Sequence, residues 1–344
     1  MMNSLSQLVN VKNQMKGYFY GSNITVTDGI KSYDDYIRNL VTTNDYVPNG
    51  VKFTGSTFTR AGAKNTIDVI DMSEFYKDCA NLTTVYSLPT SRCEDMSGMF
   101  YNCVLLTSIS YMDTYNVKDM SSMFLNCEEL TSIPYFNTSN VTDMNHMFYR
   151  CLKLGSLPEL NTSNVTNMRR TFYQCYGLKT IPLLDTSNVT NMYGMFELCL
   201  YLESVPQLNT SRVTDMRRMF DACYSITTIP ELDTSNVTDM NNMFAYCYAL
   251  TSVPLLDVTN VVVVDGTRDM FAGCSELTNL GGFRGLKVEL NLSECPKLTH
   301  ESLMNVLNNL GTVSDVNLIL GETNLAKLTD EEKSIATNKG WILS

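Results

Sequence analysis

Thiols are the side chains of this sequence best placed to do chemistry. Cysteines stand at 79, 103, 127, 151, 175, 199, 223 and 247, each 24 residues after the last, and Cys274 and Cys295 follow at gaps of 27 and 21. Such groups could bridge, hold a metal or attack a substrate. Regular spacing lines them down one side of a stack whose strands lie about 4.7–4.9 Å apart, within reach of a disulfide. Parallel side chains oppose that pairing, and a free cysteine packs as a small buried hydrophobe, so the sequence is read as a reduced core ladder. Folding then takes place in a reducing compartment.

Other reactive types are sparse. The two histidines, His146 and His300, lack partners at metal-ligand spacing. No glycine-rich phosphate loop, HExxH or G-x-S-x-G motif occurs. Asp95, Asp119, Asp143, Asp215 and Asp239, with Asn167 and Asn191 in the same series, supply one oxygen-bearing side chain per repeat, too few for a calcium cage. The expectation is no catalytic residue, no metal and no cofactor, hence not an enzyme. What varies inside the constant frame is arginine and tyrosine. Arg169, Arg170, Arg217, Arg218, Tyr149, Tyr173, Tyr176, Tyr193, Tyr224 and Tyr248 are the candidate ligand-binding residues. Rigid amphipathic tyrosine beside arginine is what recognition surfaces enrich. The two arginine pairs are two repeats apart, roughly 10 Å along one edge.

The elements that must hold these residues follow from the apolar positions. Counting from each cysteine, Val recurs ten before and Met seven before, a Met-Phe pair four and three before, Leu three after and Ile or Val six after. The gaps of three and four suit one or two turns of helix or 3₁₀ structure, and the Leu-x-Ser-Ile stretch suits a short strand. Proline seven after the cysteine ends each strand, leaving a narrow sheet of three or four residues per coil. The Asn-Thr-Ser-Asn run beyond it is turn chemistry. A fixed period of this length marks a solenoid in which each repeat contacts only its neighbours. The fold class read from the sequence is an α/β repeat solenoid, a leucine-rich-repeat type of 24-residue period and right-handed. It carries a small N-terminal module and an α/β C-terminal cap. The boundaries are 1–50 for an attachment or oligomerisation module, 51–67 for the N-terminal cap, 68–283 for the repeats and 284–344 for the C-terminal cap.

Composition narrows the partners. Among 344 residues the formal charge is −11, against a nucleic-acid footprint and against an anionic membrane as target. No apolar run spans a bilayer, so no membrane insertion is expected. The opening residues lack a basic region followed by an apolar run, so no export signal is read and synthesis in the cytoplasm is expected.

The block Asn-Thr-Ser-Asn-Val-Thr-Asn/Asp-Met-x-x-Met-Phe-x-x-Cys-x-x-Leu-x-Ser-Ile-Pro resembles the BspA-like leucine-rich repeats of bacterial surface proteins. The resemblance covers about two thirds of the chain and implies a ligand-binding or adhesive solenoid without catalysis. Leu303–Leu310 and Thr323–Trp341 are similar to C-terminal caps of such proteins from gut bacteria and their phages. Leu8–Gln14 and Tyr33–Tyr36 resemble the starts of phage tail and virion proteins. Together these imply recognition of a cell-surface protein or glycan, on a cell surface or within a phage virion. Residues 1–50 would join virion or surface-assembly proteins or further copies of the chain as a homo-oligomer. The alternative is a structural assembly protein with no dedicated ligand.

Overall fold

The computed structural model describes residues 52–344 apart from positions 58, 62–65 and 87. The expected module over 1–50 and part of the expected cap over 51–67 lie outside the described residues. The chain is a parallel β-solenoid of about eleven turns. Its axis is occupied by a column of rings. Tyr76, Phe100, Phe124, Phe148, Phe172, Phe196, Phe220, Phe244 and Phe271 stack face to face with centroids 5.5–5.8 Å apart. Beside them runs the cysteine column. Each thiol from Cys103 to Cys274 donates to the carbonyl of the aromatic residue one coil back, at 3.0–3.2 Å. All eleven cysteines are free and buried. Burial pushes the Cys199 thiol up to about 12, which denies it the thiolate that metal binding and attack require.

The turn side of each coil corrects the sequence reading. Where helix or 3₁₀ was expected, consecutive turns run instead, with left-handed backbone at two fixed places. One lies five before the cysteine (Ser122, His146, Arg170, Gly194, Arg218, Asn242) and the other one before it (Asn126, Arg150, Gln174, Leu198, Ala222, Tyr246). This conformation lets N–H groups alternate. Those of Met192, Gly194, Phe196 and Leu198 donate to Asp215, Arg217, Met219 and Asp221 of the next coil, while Met195, Glu197 and Cys199 bond three residues back. A helix would spend every N–H internally, and packed helices need 8–10 Å between axes, about twice the spacing of stacked strands. With the turn side also bonded coil to coil at strand spacing, one helix per coil does not fit. The α part of the α/β assignment fails within the coils for that reason.

The strand side is thinner than expected. Besides the pair β5 (Leu256–Asp257) and β7 (Phe283–Arg284), parallel sheets join β1 (Arg60–Ala61), β2 (Thr84–Val85) and β3 (Ser108–Ile109), and later β4 (Ser252–Val253) with β6 (Asn279–Leu280). Their closing bonds come from Tyr86, Ser110 and Gly281, seven after a cysteine. In the intervening coils that place holds Pro134, Pro158, Pro182, Pro206, Pro230 or Pro254, which have no N–H to give. Proline thus removes the ladder bond, and in most of these coils the two-residue strand gives way to an isolated bridge such as Thr228–Ser252 or to no strand at all.

Corners are held by side chains. Thr114, Thr138, Thr162, Thr186, Thr210 and Thr234 are buried, and each hydroxyl donates to a carbonyl 23 residues on. The aspartates of the recurring series accept their own i+2 backbone N–H, as Asp215 does from Arg217 at 3.1 Å. Toward the C-terminus, α1 (His300–Asn309) is N-capped by Thr299, and α2 (Gly321–Leu325) and α3 (Asp330–Thr337) follow. The strands β8 (Leu290–Asn291), β9 (Val316–Ile319) and β10 (Trp341–Leu343) pair in parallel, with β9 central. The Trp341 indole, 3% exposed, donates to Gly311 at 2.8 Å. No helix among the described residues is long and apolar enough to cross a membrane.

Two substitutions separate the contributions. Phe172→Ala leaves a gap in the ring column and is expected to cost about 3–5 kcal/mol. Thr186→Val keeps the volume but orphans the Asn209 carbonyl, for about 1–3 kcal/mol. Chemical denaturation of the full chain checks both; a neutral Phe172→Ala would mean that the column is not the core.

Candidate functional site

Seven of the ten sequence-derived candidates form one network. Arg169, Tyr193 and Arg217 occupy the same place in three successive coils, six before Cys175, Cys199 and Cys223. The guanidiniums of Arg169 and Arg217 each lie 5.0 Å from the Tyr193 ring centroid, within cation–π range. Arg170 reaches the same ring at 4.9 Å and Tyr173 at 5.0 Å, and donates to the Tyr193 hydroxyl at 3.3 Å. Tyr149 stacks on Tyr173 at 4.3 Å with the planes 10° apart. Burial, then Tyr149, pushes the Tyr173 hydroxyl up to about 12.

Two acids that the sequence reading passed over organise the arginines. Glu197 and Asp221 stand two before the cysteine in adjacent coils, with side chains 7% and 8% exposed. Stacked carboxylates repel, and cations from the neighbouring column answer them. Arg170 Nε and Nη2 both donate to Glu197 Oε2 at 3.2 Å. Arg218 Nη1 meets Asp221 Oδ2 at 2.8 Å and Glu197 Oε1 at 3.5 Å, bridging the two. Gly194 makes this path open, because a Cβ there would stand 2.7 Å from Glu197 Oε2 and 3.1 Å from Arg170 Cγ. Register alone could have found the acids, since both continue the column that Tyr149 and Tyr173 occupy in the two preceding coils.

The four arginines therefore differ in availability. Arg170 and Arg218 neutralise buried acids, and both carry left-handed backbone. Arg217 is held by Asp215 at 2.7 and 3.0 Å and approaches Asp239 at 3.8 Å. Arg169 is exposed and, among the described residues, its guanidinium has no ion pair. His146 adjoins it in the preceding coil, its charged form disfavoured by burial and by Arg169 and Arg170.

The remaining candidates sit elsewhere. Tyr176 accepts from Gln174 at 3.0 Å. Tyr224 and Tyr248, exposed, meet each other with ring centroids 4.9 Å apart. A separate open groove of about 840 Å³ lies along Leu183, Asp185, Gln207, Asn209, Glu231 and Asp233 and shares no residue with the arginine network. No group of three or more His, Cys, Asp or Glu able to hold a metal occurs among the described residues.

Comparison with known proteins follows the repeats. The family model described as a Mycoplasma protein of unknown function, DUF285, matches residues 70–181, 152–252 and 175–284. No curated protein matches the chain. Among solved structures, a leucine rich cell surface protein from Faecalibacterium prausnitzii A2-165 is similar at 17% identity and a TM-score of 0.35. The match covers 81% of this chain and 94% of that one. An internalin from Listeria monocytogenes str. 4b F2365 is similar at 15% identity and a TM-score of 0.30, covering 83% of this chain and 81% of that one.

The network predicts unequal costs. Arg218→Ala leaves Asp221 and Glu197 facing each other and is expected to lower stability by about 1–3 kcal/mol, whereas Arg169→Ala should stay within about 0.5 kcal/mol. Equal effects in thermal unfolding would dissolve the distinction.

A pH dependence follows from the same pair of acids. Burial raises the Asp221 carboxyl to about 6, with Arg218 opposing the rise and Glu197 adding to it. An unfolded aspartate titrates near about 3.9, so the fold holds this proton more strongly than the unfolded chain does. The contribution of Asp221 is complete below about 4 and is lost as pH rises to about 6. Denaturation curves of wild type and Asp221→Asn across that window test it: the variant should lack this decline, and identical slopes would refute it.

Proposed function

The chain belongs to the DUF285 family through residues 70–284, and from that membership we propose a non-catalytic recognition protein whose solenoid edge binds a protein or glycan on a cell surface. The observation that carries the reading is the division of labour within each coil. Rings, thiols, threonines and Asx turns satisfy the frame internally, and the positions left free are those that vary from coil to coil. On one edge these positions hold the Arg169–Tyr193–Arg217 stack, locked in place before any partner arrives. Ordering long arginine side chains in advance lowers the entropy lost on binding. Arg169 is its available cation; Arg170 and Arg218 set the shape of the site and are not its contacts.

The repeats that match the family are those that resemble BspA-like leucine-rich repeats, so exposure at a surface is part of the proposal. So are the division at residues 50, 67 and 283 and the reading of residues 284–344 as a cap. A place in a virion or other assembly rests on residues 1–50 and serves as the competing outcome of the test.

The test is binding of the full chain to intact bacterial and animal cells, beside Arg169→Ala and a form lacking residues 1–50. Saturable binding that survives truncation and weakens about tenfold in Arg169→Ala is the expected result. Absence of cell binding, with oligomers that disappear on truncation, would replace recognition by assembly.

A further inference from the structure

Clear of the arginine network, four tyrosine rings stand open to solvent along the turn side of three successive coils. Tyr201, Tyr224, Tyr246 and Tyr248 are 58%, 41%, 47% and 44% exposed. Among the described residues none of their hydroxyls has a hydrogen-bond partner. Tyr224 and Tyr248 lie 4.9 Å apart at 44°, and Tyr246 meets Tyr248 edge-on at 6.3 Å. The following coil is cut back beneath them. Gly273 carries a φ of 74°, and a Cβ on it would stand 3.1 Å from the Tyr246 ring and 3.2 Å from that of Tyr248.

Charge is excluded from this strip. The positions one before, one after and two after Cys175, Cys199, Cys223 and Cys247 hold no charged residue. The coils at either end carry charges that are already cancelled, Arg150 with Glu128 at 3.1 Å and Lys153 with Glu129 at 2.6 Å on one side, Lys297 with Glu276 at 2.6 Å on the other. Glu294 is engaged by the Gly273 N–H at 2.7 Å. An acidic ligand finds no unpaired cation among these positions, and Glu294 is a carboxylate without an ion pair among the described residues.

We infer that this tyrosine strip binds an uncharged polysaccharide chain laid along the solenoid axis. Exposed rings offer apolar faces to the C–H side of a sugar, and the unpartnered phenols offer hydrogen bonds to its hydroxyls. Coils repeat about every 4.7–4.9 Å, close to the rise of one hexose in an extended chain, so successive coils meet successive sugars. The strip is too small for a folded protein. Its rings stand on three successive coils, about 10 Å from first to last, whereas a stable protein interface covers about 800 Å² on each partner. The inference rests on the recognition reading above, names one chemical class of ligand, and places its contact on this strip, apart from the arginine stack.

The experiment uses the full chain and cells that bind it, each batch left untreated, oxidised with periodate, or digested with protease. The Tyr224→Ala/Tyr248→Ala double variant runs beside wild type and Arg169→Ala, with thermal unfolding recorded for each. Binding should vanish after periodate, survive protease, and weaken about tenfold or more in the double variant at unchanged unfolding temperature. Loss on protease with survival of periodate would assign a protein partner and overturn the inference, as would a double variant that binds like wild type. In those cases cell binding persists and the recognition reading stands. Failure to bind any untreated cell overturns both.

Discussion

Coils must stack at close to one strand spacing, and this constraint decides nearly everything else in the molecule. It rules out a helix on each coil, so the turn side solves its hydrogen bonding with alternating N–H directions and two left-handed residues per coil. It sets the ring column, since a phenylalanine in every coil can only meet its neighbour face to face. It also explains the cysteines. A slot flanked by rings and closed by a carbonyl one coil back admits a small, weakly polar donor, and the thiol fills it with a bond to Phe148 in the case of Cys175.

Much of this was legible in the chain, unevenly. Apolar positions counted from each cysteine pointed to the buried residues, and Val165, Met168, Phe172, Cys175 and Leu178 are all at most 1% exposed. Thr329 with Glu332 three residues on is a capping-box pattern in the sequence, and both of its capping bonds are made at the start of α3. What misled was conformation. Gaps of three and four residues fit a helix and a run of turns equally well, and the deciding fact, the distance to the next coil, is not local. Left-handed backbone left only a weak trace, because Asn and Gly at the two positions are mixed with Arg170, Arg218, Leu198 and Tyr246.

The candidate surface shows the same division. Arginine and tyrosine stood out because they vary against a constant frame, and seven of the ten residues do come together. Their roles did not follow from residue type. Arg170 and Arg218 are committed to Glu197 and Asp221, two acids whose importance appears only when adjacent coils are aligned. Meanwhile four exposed tyrosines, Tyr201, Tyr224, Tyr246 and Tyr248, lie along a different strip.

The prolines on the strand side give the solenoid a mechanical polarity. In the coils of Cys199 and Cys223 the turn side is zipped by successive backbone bonds, while across the strand side Glu203 to Lys179 is among the few that remain. A rod fastened firmly along one edge and loosely along the opposite one has one soft direction of bending. Pulled at its ends, it meets fewer backbone hydrogen bonds between coils on the proline side than on the turn side. Such a body behaves as a leaf spring, able to yield under load while its other edge keeps its shape.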